Sequence, residues 1–201
     1  MSIHDLRSCR KSLAGQQNFI LDHVQGKTVL EVGCGEGDLS LQLAQRGYRV
    51  TASDIKNGLG TEATKWTEEH PDQLNFVSAW GYKLPFPDRY FDTVASTHTI
   101  EHVRDLQATI TEMVRVARQR VLIVVPRQAY KRYTIDYHLH FFPSEAALRV
   151  AFRLPGMQTQ VIDGDWGVLW DRPGQQPEPN RTESHVQSEA SEDLSPKISM
   201  V

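Results

Sequence analysis

One glycine-rich turn, placed where the hydrophobic periodicity changes, constrains this chain more than any other feature. Glu31-Val32-Gly33-Cys34-Gly35-Glu36-Gly37 follows the apolar run KTVLEVG and precedes DLSLQLAQR. A short continuous apolar run ended by glycines reads as a buried parallel strand. The segment after it places Leu39, Leu43 and Ala44 on one face and stops at Gly47, which reads as an amphipathic helix. Glycines let the backbone turn tightly and come close to a ligand. The first turn of the helix offers amides that lack intrahelical partners.

The same alternation continues along the chain. Periodicity predicts strands over 49–53, 74–78, 91–96 and 120–125, and helices over 61–69, 105–117 and 143–152, the last capped by Ser144. A leading helix is expected over 5–23, and a final antiparallel pair over 158–163 and 167–171. The run RVLIVV at 120–125 is the most apolar and is expected at the centre of the sheet. Repeated strand–helix alternation predicts an α/β, Rossmann-like, doubly wound and mostly parallel sheet, here with an antiparallel C-terminal strand pair. Such sheets bind ligands at the carboxyl ends of their strands, so chemistry is expected after Gly33, Ser53, Ser78, Ser96 and Val125.

Residues 1–171 are expected to form one domain. Residues 172–201, dominated by Pro, Gln, Glu, Ser and Asn, read as a disordered polar tail. The net charge of -3 and pI near 6.2 give generic nucleic-acid binding little support. No apolar run approaches the ~20 residues of a spanning helix, and the N-terminal residues do not read as a secretory signal, so a cytoplasmic location is expected. Cys9 and Cys34 do not make a disulfide framework, and Cys34 reads as a small structural thiol within the turn.

Asp54, at the end of the second predicted strand, lies 23 positions after Glu31. In Rossmann-like folds an acidic side chain there accepts hydrogen bonds from ribose hydroxyls. A dinucleotide fingerprint requires G-x-G-x-x-G, but the sixth position from Gly33 is Asp38. The pattern present suits a cofactor without a pyrophosphate, which Glu31 would repel. Glu31 would instead attract an amino group.

VLEVGCGEGDLS, VTASDI and LPFPDRYFDTVASTHTIEHVRD together resemble the class I S-adenosylmethionine-dependent methyltransferases, especially the type 11 group, over residues 28–125. The resemblance implies S-adenosyl-L-methionine as cofactor. It implies that Glu31, Gly33, Gly35 and Gly37 line its methionine and ribose side. Asp54 would bind the ribose hydroxyls, Ile55 would pack on adenine, and the loop at Thr97 would close over the sulfonium. Where the family often carries an Asp before LPF, this chain has Trp80. Adenine would then meet the Trp80 ring or the backbone of Trp80 and Gly81.

Histidines gather in two rim segments, His98-Thr-Ile-Glu101-His102 and Tyr137-His138-Leu-His140. In a helix His98, Glu101 and His102 would share a face. Three readings compete: an ordinary loop feature of type 11 sequences, a general base among His98, His138 and His140, or a divalent-metal site. The last resembles the small-RNA 3′-terminal ribose methyltransferases, with His98 where those carry Glu. No metal is assigned, and the three histidines stand as catalytic candidates. The expected reaction is in-line transfer of a methyl group to a hydroxyl or amine of a small-molecule substrate, which needs mainly alignment. RNA 3′-terminal ribose methylation and non-catalytic cofactor binding are the alternatives.

Overall fold

The computed structural model describes residues 15–56, 58–131 and 137–174. The expected tail beyond residue 174 and the beginning of the leading helix lie outside the described residues.

The apolar run before the glycine turn forms β1 (Thr28–Val32), which crosses into α2 (Asp38–Gln45). A helix over 15–23, α1, precedes them. Then follow β2 (Arg49–Asp54), α3 (Thr61–Glu69), β3 (Leu74–Ser78), β4 (Phe91–Thr97), α4 (Leu106–Val116), β5 (Ala117–Val125), α5 (Glu145–Phe152), β6 (Gln158–Ile162) and β7 (Asp165–Asp171). The strands form one sheet in the order β3-β2-β1-β4-β5-β7-β6. Strands β1 to β5 pair in parallel, and β7 pairs antiparallel with both β5 and β6. The strand order reverses between β1 and β4, the place where such sheets hold ligands.

β5 shows why the apolar run at 120–125 is so uniform. Val121, Ile123 and Val125 enter a core with α4 and α5, including Met113, Leu148 and Phe152. Leu122 and Val124 enter a second core with Phe19, Ile20, Leu39 and Leu43 on the opposite face. A strand buried on both faces needs apolar residues at consecutive positions. β5 is interior, but β4 holds the middle of the seven strands. β5 also begins at Ala117, earlier than the periodicity predicts, and its pairing with β4 is irregular between Phe91 and Thr93.

The caps follow local chemistry. Asp105 accepts from the Ala108 amide at the start of α4, and Ser144 from the Ala147 amide at the start of α5. Asp163 and Gly164 both take positive φ, 50° and 95°, as a two-residue hairpin turn between β6 and β7 requires. At the amino end of β4, Asp92 ties the sheet together. Its Oδ2 accepts from the Lys27 and Thr28 amides and the Thr28 hydroxyl, and its Oδ1 from Arg118 Nη1 at 2.6 Å. No helix among the described residues is long and apolar enough to cross a membrane.

Candidate active site

A cavity of about 950 Å³ opens at the carboxyl ends of β1, β2 and β4, near the upper end of the ~300–1,000 Å³ range of ligand pockets. Its walls include Glu31, Gly33, Gly35, Asp54, Ile55, Trp80, Gly81, Thr97 and His98. Nine of the residues singled out from the sequence thus share one space.

At the glycine end the turn is held from below. The Gly33 and Cys34 amides both donate to the Ser53 carbonyl, at 2.7 and 3.0 Å. Gly33 has φ of 78°, and a Cβ there would lie 2.1 Å from Thr99 Cγ2, so a side chain is excluded. A Cβ on Gly35 would instead meet nothing within 4 Å, because this position faces the cavity. Gly37 does not line the cavity. It caps α2, with Leu59 Cδ2 2.7 Å from where its Cβ would stand.

Asp54 reaches the same turn from β2. Its Oδ2 accepts from the Gly35 amide at 2.9 Å and its Oδ1 from the Lys56 amide at 3.1 Å. A carboxylate fixed this way keeps free lone pairs toward the cavity for sugar hydroxyls. Glu31 is 3% exposed and accepts from the Ser40 hydroxyl. Burial pushes its carboxyl up to about 7, outweighing the Ser40 bonds. Ile55 and Trp80 are 59% and 56% exposed, large apolar surfaces that flank the opening. The Trp80 and Tyr82 rings lie 5.6 Å apart.

The far end is built from β4, its following turn and the rim. Ile100–His102 forms a single 3-10 turn, so the segment is not the continuous helix whose face His98, Glu101 and His102 would share. His98 takes φ of 50° instead, which turns its ring back toward Glu101. Nδ1 lies 3.5 Å from Glu101 Oε1, and Nε2 lies 3.1 Å from Asp165 Oδ2 without the alignment of a hydrogen bond. Burial alone would lower the imidazole; the contacts with Asp165 and Glu101 outweigh it and push it up to about 9. That direction favours the imidazolium form, held between the Glu101 and Asp165 carboxyls.

His138 and His140 do not line the cavity; both pack behind its rim. His140 Nε2 bonds the Val103 carbonyl at 2.8 Å, and His138 Nδ1 bonds Gln128 Oε1 at 2.6 Å. Asp165, Gln17, Thr99 and Arg104 are among the wall or wall-supporting residues that the sequence did not single out. Asp165 directly follows the Asp163-Gly164 turn, a local signal that marks the hairpin but not its contact with His98.

The donor set fits a sulfonium nucleoside. The cavity side of Gly35 is open, Asp54 is fixed at the sugar position, and the buried Thr97 hydroxyl has no hydrogen-bond partner among the described residues.

Residues 30–125 match the family model described as "Methyltransferase domain", of type 11. That stretch, just under half of the chain, is similar to class I, S-adenosylmethionine-dependent methyltransferase domains. Ajmaline N-methyltransferase of Rauvolfia serpentina is 30% identical over 129 residues, 61% of this chain and 40% of that protein. Demethylmenaquinone methyltransferase of Beutenbergia cavernae is 34% identical over 100 residues, 50% of this chain and 40% of that protein. The chain thus spans about two-fifths of the length of these curated relatives. Among solved structures, a Burkholderia thailandensis 1,6-didemethyltoxoflavin-N1-methyltransferase with bound S-adenosylhomocysteine superposes with a TM-score of 0.66 at 17% identity. That superposition covers 84% of this chain and 83% of the other, and establishes the shared fold.

Proposed function

We propose that this protein transfers a methyl group from S-adenosyl-L-methionine to a hydroxyl or amine of a small-molecule acceptor. The observation that carries the reading is the single cavity running from the glycine turn and Asp54 to His98. When bound, the cofactor supplies a methyl group on a sulfonium, already activated for in-line displacement, so the protein's task is alignment.

Asp54 and the Gly33–Gly35 turn hold the sugar and the amino-acid arm. Ile55 and Trp80 cover the two faces of a flat base. Glu31, which lines the cavity and is tied to α2 through Ser40, faces the cationic end of the methionine arm. At the other end, the His98 charge favours the deprotonated form of an oxygen acceptor, an effect largest where water is excluded. The Rauvolfia relative is named an ajmaline N-methyltransferase, and a Rickettsia akari relative, 27% identical over 103 residues, a ubiquinone biosynthesis O-methyltransferase; both names support this acceptor class. A cytoplasmic setting accords with Cys34, a buried free thiol in the turn.

Calorimetry with S-adenosylmethionine and its demethylated product tests the cofactor half. Saturable binding is expected, weakened by Asp54→Ala by about 1–3 kcal/mol, or roughly 5- to 150-fold. Unchanged affinity in that variant removes the ribose assignment, and no saturation by wild type removes the whole reading. Transfer of labelled methyl to a panel of phenols, alcohols and amines tests the other half. Binding without transfer to any of them points to a regulatory cofactor-binding protein instead.

A further inference from the structure

Beside His98, whose Nδ1 lies 3.5 Å from Glu101 Oε1, stands a group of side chains to which the methyl-transfer reading gives no direct contact with cofactor or acceptor. Glu101 is 1% exposed, yet neither of its carboxyl oxygens has a hydrogen-bond partner among the described residues. A buried carboxyl without partners is expensive to keep, and a native structure retains one where something else satisfies it. Its neighbours are imidazoles. His102 Nε2 lies 3.8 Å from Glu101 Oε1, and the His102 and His138 rings stand edge to face with centroids 4.8 Å apart. One ligating atom from each of Glu101, His102 and His138 lies within 4.8 Å of the other two.

Both histidines are also oriented. His102 Nδ1 faces the Tyr137 carbonyl at 3.3 Å. A carbonyl only accepts, so this contact places the proton on Nδ1 and leaves a lone pair on Nε2. His138 Nδ1 meets Gln128 Oε1 at 2.6 Å, with the same consequence. Metal-binding histidines characteristically carry such a partner on the nitrogen that does not ligate. Nothing comparable frees His140, whose Nε2 is committed to Val103.

We propose that Glu101, His102 and His138 form a site for one divalent first-row transition ion, of the two-imidazole, one-carboxylate type. Zinc held this way takes ligands at about 2.0–2.2 Å, and the remaining position stays open to water or an acceptor oxygen. Donors now within 4.8 Å need to close by roughly an ångström, a motion of the His102 and His138 rings. His102 also lines the main cavity, so the open position points to the end where the acceptor is expected. That location deepens the methyl-transfer reading, but ion binding stands or falls independently of it.

Zinc and cobalt titrations of the chelator-treated full chain test the site. One equivalent should bind, with cobalt giving visible bands of four- or five-coordinate geometry. His138→Ala and Glu101→Gln should each weaken zinc binding by at least roughly 100-fold, and Gln128→Ala by about 10-fold. His70→Gln, on a distant helix end, should leave it unchanged. Absence of stoichiometric binding overturns the proposal, as does affinity in His138→Ala equal to wild type. Should Glu101→Gln fail to fold, His138→Ala decides the question alone, since His138 sits on the rim outside both cores. These readouts require no methyl transfer, so their failure and the failure of the proposed activity are separable.

Discussion

Two carboxyl groups at opposite ends of β4 are treated in opposite ways. Asp92 opens the strand and Glu101 follows its end, and they are 6% and 1% exposed. Asp92 accepts from two amides, a hydroxyl and a guanidinium. The Glu101 carboxyl accepts no hydrogen bond among the described residues, and the imidazoles of His98 and His102 lie 3.5 and 3.8 Å from its Oε1. Burial costs both groups solvation, and only one recovers it inside the protein. The amino end of the sheet is built for stability, and its carboxyl end keeps an unmet electrostatic demand that a ligand can meet. Unsatisfied buried groups concentrate where function overrides local consistency.

The largest effect expected of that contrast is on folding. Asp92→Ala strands the Lys27 and Thr28 amides and should cost about 3 kcal/mol. For a chain of this size that lowers Tm by roughly 6–12 °C. Cofactor affinity should be untouched, because Asp92 lies at the far end of the sheet from the cavity. A calorimetric scan showing a shift under 2 °C, or a weakened cofactor, would break the division between the two ends.

A milder effect carries a pH signature. Burial works against the Asp92 charge, but bonds from Lys27 and Thr28 and the nearby Arg118 hold its carboxyl below the usual range. The folded value is thus below the unfolded one, near 3.9. Its stabilisation is complete above the unfolded value and fades as pH falls through the folded one. Asp92→Asn should therefore lag wild type by about 1–2 kcal/mol at pH 7, with the gap narrowing below about pH 4. A gap independent of pH would mean that packing, not charge, is what Asp92 supplies.

The two ends also differ in how much of them is legible in the sequence. The cofactor end is local. Strand, turn, helix and second strand follow one another without a break, so Glu31, Gly33, Gly35 and Asp54 can be placed by spacing alone. The acceptor end is assembled from three distant pieces: the turn after β4, the rim segment with His138, and the β6–β7 hairpin. Periodicity reports neighbours along a chain, and nothing in it pairs His98 with Asp165. The left-handed backbone at His98 is set by those tertiary contacts too, which is why an extended helical face over 98–102 was the wrong local geometry. The displaced start of β5 has the same origin, since strand ends follow the partner strand rather than the residue pattern.

The smallest expected effect is the sharpest test of the contrast. Glu101→Gln keeps the shape of the side chain and removes its charge. At Asp92 such a change discards several hydrogen bonds; at Glu101 there is none to discard. The loss of attraction to His98 and His102 is offset by the lower cost of burying a neutral amide. In metal-free protein the variant should stay within about 1 kcal/mol of wild-type stability, measured by urea denaturation. Added zinc should then separate the two proteins, because a ligand that binds only the folded wild type raises its stability in proportion to the logarithm of ion concentration. A destabilisation as large as that of Asp92→Ala in the absence of metal would show that Glu101 is satisfied within the fold after all, by its imidazole neighbours alone.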